Sequence, residues 1–200
     1  HGNLLVHGAA VGTEGAGLLL VGPGGRGKST AATTLLRRGF AFAGEDYVAI
    51  DPSTRRAFGV YTSVKLLPGD VERHASVRAE RLEPAHGRDD KVALLLDETP
   101  PGFVEGIQLV AVAASHVTPE ATDSQDPGWA RVAPATMVAA LAPSTLFQTV
   151  GFRHTTFAAC AHVVKGLPTY AWTPGPLDGA YDERLELHAR AILRDALEAA

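Results

Sequence analysis

Short apolar runs alternating with segments of helical spacing predict an α/β fold, and one stretch makes that prediction sharp. Residues 18–21, Leu18-Leu19-Leu20-Val21, are an unbroken apolar run of the kind shown by a strand buried on both faces. A glycine-rich loop follows at once. Residues 29–38 then place Ala32, Leu35 and Leu36 at helical spacing, and Gly39 is a natural C-terminal stop.

The other elements follow along the chain. Residues 4–11 read as extended, and Gly12-Thr13-Glu14-Gly15 has turn chemistry. Residues 40–43 and 47–50 read as strands separated by Gly44-Glu45-Asp46. Asp51-Pro52-Ser53-Thr54 is a turn; residues 57–67 are extended until Pro68-Gly69 breaks them. Residues 73–90 are charged and read as a solvated surface segment. Residues 92–96 and 109–114 are strand candidates, with the loop Pro100-Pro101-Gly102 between them. Residues 119–128 are polar and turn-rich, which predicts flexibility. Helices are expected at 134–141, 155–164 and 182–199, and a further strand at 168–172. The order of strands in a sheet is not readable from this pattern.

Composition removes several function classes. The 18 basic and 22 acidic residues give a net charge of −4, dispersed along the chain. There is no basic stripe for nucleic acid and no basic amphipathic helix for a membrane surface. No apolar run approaches a membrane span. The lone Cys160 makes no internal disulfide and suits a reducing cytoplasm. With 200 residues, 46% of them hydrophobic, one core and one domain over residues 1–200 are expected. The chain opens on His1-Gly2 rather than Met, which leaves room for an upstream segment. The oligomeric state stays open, a homo-oligomer included.

The loop carries the chemistry. Gly22-Pro23-Gly24-Gly25-Arg26-Gly27-Lys28-Ser29 satisfies G-x-x-x-x-G-K-[ST] without a mismatch, between an apolar strand and an amphipathic helix. Glycines let the backbone curl so that successive N–H groups point at phosphate oxygens. Lys28 would reach the β and γ phosphates, the Ser29 hydroxyl would ligate Mg²⁺, and the helix entered through Ser29 and Thr30 adds its positive dipole end. Arg26 is expected to point outward, to the nucleotide mouth or to solvent. The expected ligand is Mg–ATP, although no adenine-reading motif separates it from GTP.

A phosphate loop needs a carboxylate partner for the metal and the nucleophile. Asp97 ends the run Val92-Ala93-Leu94-Leu95-Leu96, which looks like an ordinary Walker B strand. Glu45 and Asp46 lie between two short strands soon after the loop helix. An acid at a strand end is more often a solvated turn residue than a ligand, and spacing alone does not choose between the candidates.

Residues 7–50 resemble the kinase domain of the HPr kinase/phosphorylase family. His7-Gly8, Val11, Gly15, the run 18–21, the loop 22–29, Arg38-Gly39 and Gly44-Glu45-Asp46 fall in register with it without a gap. This covers about the first quarter of the chain. More weakly, Tyr61-Thr62-Ser63-Val64-Lys65-Leu66 and Ala142-Pro143-Ser144-Thr145-Leu146-Phe147-Gln148 resemble segments of HPr-kinase-like proteins from peptide-modifying gene clusters, including lasso-peptide kinases. The resemblance implies a phosphate-loop α/β domain of the HPr kinase and phosphoenolpyruvate carboxykinase type. It implies that Glu45 stands where the family keeps its general base, that Asp46 stands where a carboxylate helps hold Mg²⁺, and that His7 matches a histidine near the phosphates. Glu45 departs from the family's Asp. Its extra methylene moves the carboxylate by about a bond length, and a misplacement near 1 Å costs on the order of a hundredfold in rate. The family's phosphorylase activity is not implied, because its distal signature has no match here.

The expectation is an ATP-dependent kinase for a hydroxyl, foremost a serine of a protein or peptide. A kinase for a small metabolite, and a nucleotide-binding regulator without transfer, are the alternatives. Glu45, Lys28 and His7 are the catalytic candidates, Ser29 and Asp46 the metal candidates, and Lys65 a candidate for neutralising the transferring phosphate. Taken alone, a strand histidine and a strand lysine are more often structural. The remaining histidines lack metal-ligand spacing, so zinc is not expected. Arg153 and His154 read as surface residues, and Cys160 as packed.

Overall fold

The computed structural model describes residues 2–13, 15–76, 79–82, 91–96, 102–115, 128–146, 153–173 and 175–199. It is a mixed α/β structure with a central sheet and several helices. Chain order is β1 (Leu4–His7), β2 (Ala9–Thr13), β3 (Ala16–Val21), α1 (Lys28–Arg37), β4 (Ala41–Gly44), β5 (Tyr47–Asp51), β6 (Arg56–Gly59), β7 (Ser63–Leu66), α2 (Pro68–Arg73), β8 (Ala79–Leu82) and β9 (Val92–Leu96). There follow β10 (Gly106–Ser115), β11 (Gly128–Arg131), α3 (Pro134–Leu146), α4 (Arg153–Val164), β12 (Thr169–Thr173) and α5 (Tyr181–Glu198).

The apolar run at 18–21 is continuous because β3 is covered on both faces. Leu18 and Leu20 pack with Leu35 of α1 and with Leu185, Ile192 and Leu193 of α5. Leu19 and Val21 pack on the other face with Met137 and Leu141 of α3 and Val163 of α4. Cys160 lies in this second layer, fully buried, and burial pushes its thiol up to about 11.

In the sheet, β3 runs parallel to β10 and antiparallel to β2. The long β10 pairs with β6 through its first residues and with β12 through its last. The carboxyl ends of β3 and β10 therefore lie side by side, Val21 against Ala114, and the loop leaves β3 there. Open α/β sheets bind ligands in the crevice at that end.

The sheet also folds back on itself. β1 and β2 are nearly continuous in sequence, yet β1 pairs with β5 and β2 with β3 and β4. Gly8 is the bend, and a Cβ there would stand 2.7 Å from the Leu20 carbonyl. β4 comes to rest against β6, with Gly44 and Gly59 in contact. This closure aims the turn between β4 and β5 at the loop.

Several expected elements differ. Residues 57–67 are two strands in different sheets, because β7 joins a second sheet of order β7-β9-β8. Pro68-Gly69 begins a helix, with Pro68 in the first turn where a missing N–H costs nothing. In the segment 73–90, His74 is 1% exposed and so not solvated, and residues 79–82 form β8; residues 77–78 and 83–90 lie outside the described residues. The helix expected at 134–141 runs on to Leu146; Ser144 and Thr145 lie in its last turn, and both hydroxyls donate to the Leu141 carbonyl. β11 has no counterpart in the sequence reading. Asp97, Pro100-Pro101, residues 119–127 and Phe147-Gln148 lie outside the described residues. No helix among the described residues is long and apolar enough to cross a membrane.

The β4–β6 closure yields a stability prediction. A Cβ at Gly59 would lie 2.1 Å from the Ala43 carbonyl, a backbone atom with little room to yield. Gly59→Ala should therefore destabilise the fold by about 1–3 kcal/mol or more, read as a lowered midpoint in urea unfolding. An unchanged midpoint would mean that β4 and β6 are not in this contact.

Candidate active site

The loop between β3 and α1 is shaped by glycine. Gly22, Gly25 and Gly27 have φ of 124°, 73° and 81°, values that side chains rarely allow. A Cβ on Gly24, Gly25 or Gly27 would meet nothing described within 4 Å, so the loop curls around open space rather than around protein. Gly22 is tight against β10, where a Cβ would meet the Ser115 hydroxyl at 3.1 Å. The first turn of α1 carries no acidic residue, and its N–H groups and dipole face that space unopposed.

Lys28 is 7% exposed, and its ammonium donates to the carbonyls of Gly22 at 2.8 Å and Pro23 at 2.9 Å. Burial, and then the nearby Lys91, hold its pKa down to about 8, while Glu45 pulls the other way. An ammonium has three N–H donors, so two bonds to the loop leave one for an anion.

The turn between β4 and β5 supplies the acids. Asp46 sits at φ 63°, a left-handed conformation that Asp tolerates better than most residues. Its carbonyl accepts the Gly8 N–H at 3.2 Å, which fixes the turn to the β1–β2 bend. The two carboxylates consequently point to different places. Glu45 is 2% exposed: its Oε2 accepts the Ser29 hydroxyl at 2.6 Å and its Oε1 accepts the Lys65 amide at 2.6 Å. Burial raises the Glu45 pKa, and the Ser29 and Lys65 hydrogen bonds oppose that rise. Asp46 faces the mouth, with Lys65 Nζ at 2.8 Å and His7 Nε2 at 3.6 Å. The His7 pKa is lowered, chiefly by burial and then by Lys28, which favours a neutral ring there; the ring lies against Tyr47 with centroids 5.5 Å apart.

A cavity of about 170 Å³ joins these groups. The sequence candidates His7, Gly24, Gly25, Gly27, Lys28, Ser29, Thr30, Glu45, Asp46 and Lys65 all line it. Arg26 is exposed and opens onto an adjoining cavity instead. Among the described residues, no three His, Cys, Asp or Glu form a ready cage for a metal. Mg²⁺ does not need one, since it is commonly held by one or two carboxylates together with substrate phosphate and water. Ser29, Glu45 and Asp46 around open space fit such an ion.

Two charged lining groups escaped the sequence reading, as did the apolar Leu67 and Leu177. Lys91, just before β9, brings a third cation to the loop, and Asp70 of α2 accepts the Thr30 hydroxyl at 2.8 Å. Neither belongs to a local motif; only the pairing of β9 with β7, Val92 opposite Leu66, brings Lys91 in.

The Lys28 environment yields a pH prediction. The ammonium is charged below about pH 8 and neutral above it. Affinity for pyrophosphate should therefore be level below that pH and fall above it. Lys91→Gln removes one of the charges that depress the Lys28 pKa, so the break should move to higher pH even as overall affinity drops. Calorimetric titration of both proteins from pH 6.5 to 10 measures this; a break that stays put would mean that Lys91 does not act on Lys28.

No family model matches the chain, and a search of curated proteins finds no significant match. Among solved structures it aligns with the HPr(Ser) kinase/phosphatase from Coxiella burnetii over 97% of this chain and 98% of that one, at 12% identity and a TM-score of 0.48. The function must therefore be argued from the site's own residues.

Proposed function

We propose that the chain is a Mg–ATP-dependent kinase that phosphorylates a hydroxyl, with a serine of a protein or peptide as the acceptor. The carrying observation is a convergence within one cavity: a complete phosphate-loop sequence, a buried carboxylate bonded to the loop's Ser29, and a second carboxylate at the mouth between His7 and Lys65. The register of residues 7–50 with the HPr kinase family supports the acceptor class.

When bound, Mg²⁺ would supply the charge that neutralises the β and γ phosphate oxygens. The loop amides and Lys28 hold the phosphates, and Lys65 and Lys91 stabilise negative charge gathered on the transferring group. Ser29 would give an oxygen lone pair to the metal while its O–H stays directed at the Glu45 carboxylate. The resemblance gives the base role to Glu45 and the metal role to Asp46. Exposure and bonding favour an exchange of these roles. Glu45 is buried with both oxygens held by the Ser29 hydroxyl and the Lys65 amide, whereas Asp46, though paired with Lys65 and His7, is one-fifth exposed, where an acceptor hydroxyl must arrive. A base must come within hydrogen-bond reach of the proton it takes, so Asp46 is the base in this reading and Glu45 orients the metal ligand.

Incubation with labelled ATP and peptide or small-molecule hydroxyls tests the class. Lys28→Met should weaken nucleotide binding by about 10- to 100-fold, the worth of a charge-assisted hydrogen bond. Asp46→Asn should slow transfer by about 10²- to 10⁴-fold with Mg–ADP affinity nearly kept, and Glu45→Gln should raise the Mg²⁺ requirement. The opposite pattern would restore Glu45 as the base. Binding without transfer to any hydroxyl would leave a nucleotide-binding regulator.

A further inference from the structure

The phosphate cavity does not end at the loop. A second cavity of about 230 Å³ adjoins it and shares Gly25, Gly27, Thr30 and Leu177 with it. A water needs only ~10–15 Å³ of such space. The second cavity has none of the transfer groups; Arg26, Gly175 and Tyr181 complete its lining. We propose that this cavity receives the nucleoside base, with the chain of phosphates running from it across the loop to Lys28 and Asp46. The inference rests on the nucleotide reading above.

Three observations support it. Direction is the first. Lys28, Glu45, Asp46 and Lys65 line the first cavity and not the second, and they mark the γ end. A nucleotide's other end must lie away from them, and the second cavity continues from the same loop residues without them. Surface chemistry is the second. Leu177 is 52% exposed and borders both cavities, and the glycines leave open backbone beside the exposed Arg26 side chain. Binding sites for planar organic groups are mostly apolar with a few polar contacts, and the Arg26 guanidinium at the rim is suited to stack on a heteroaromatic ring.

The third is that the wall is held in place. Gly175 takes φ 73°. Arg73 of α2 donates to the carbonyls of Leu177 and Asp178, each at 3.4 Å, and Arg184 of α5 donates to the Pro176 carbonyl at 2.8 Å. Asp182 receives Arg73 at 2.9 Å and also pairs with Arg37 of α1, the helix that the loop leads into. The Arg73 guanidinium lies over the Tyr181 ring, 5.1 Å from its centre. The wall and the loop thus share one charged staple, and a base would enter a pocket whose two sides are already set.

The test compares Mg–ADP with pyrophosphate by calorimetry in the wild type, Leu177→Ala and Leu177→Trp. Leu177 is exposed, so both variants should fold. One removes packing surface and the other fills the space. The wild type should prefer ADP over pyrophosphate at least tenfold. That preference should shrink to threefold or less in both variants, with pyrophosphate affinity within about twofold of wild type. A preference that survives both substitutions, or one that is missing from a wild type that binds both ligands, overturns the base site while leaving the phosphate loop intact. A wild type that binds neither ligand overturns the nucleotide reading and this inference with it.

Discussion

Glu45 is the constraint on which the site depends. A carboxylate at 2% exposure loses its hydration and is tolerable only if its oxygens are bonded. Its two partners come from distant parts of the chain, the Ser29 hydroxyl at the start of α1 and the Lys65 amide in β7. Satisfying one side chain therefore ties together the central sheet, the loop helix and the small sheet. A Glu has a physical sense at this position, because its side chain is long enough to span from the β4–β5 turn to both partners. Asp46, one residue on, faces the opening between Lys65 and His7.

How much of this was legible depends on how local each feature is. The run 18–21, the loop and α1 could be read because each has a local cause: burial on both faces, glycine conformations, helical spacing. The acid pair was visible as residues, but its relevance came through the resemblance, since nothing in Gly44-Glu45-Asp46 reveals that β4 and β5 aim it at the loop. Lys91 and Leu177 were not legible at all. Each reaches the site through tertiary structure, one by strand pairing in the small sheet and the other by the charged staple around Asp182. The misread stretches have the same origin. His74 looks solvated among charged neighbours, yet it is buried. Residues 57–67 look like one strand, yet they are divided between two sheets.

The small sheet has an outsized electrostatic part. Lys65 and Lys91 both ride on it, whereas the acids ride on the central sheet and Lys28 on its loop helix. Lys65 is paired with Asp46, whereas Lys91 repels Lys28 and contributes to its low pKa. Such a site favours a polyanion by relieving strain already present in the protein as well as by attraction.

The burial of Cys160 has a practical use. Its thiol sits inside the layer formed by α3 and α4, fully covered and with its pKa raised by burial, so little reactive thiolate reaches solvent. Maleimide or disulfide reagents should pass it by while the core is closed. A second cysteine introduced on an exposed position beside the mouth could then carry a fluorophore or spin label alone, with the native residue left in place. The same silence makes Cys160 a clock: the rate at which it becomes modified in the unaltered protein reports how often the core opens far enough to admit the reagent.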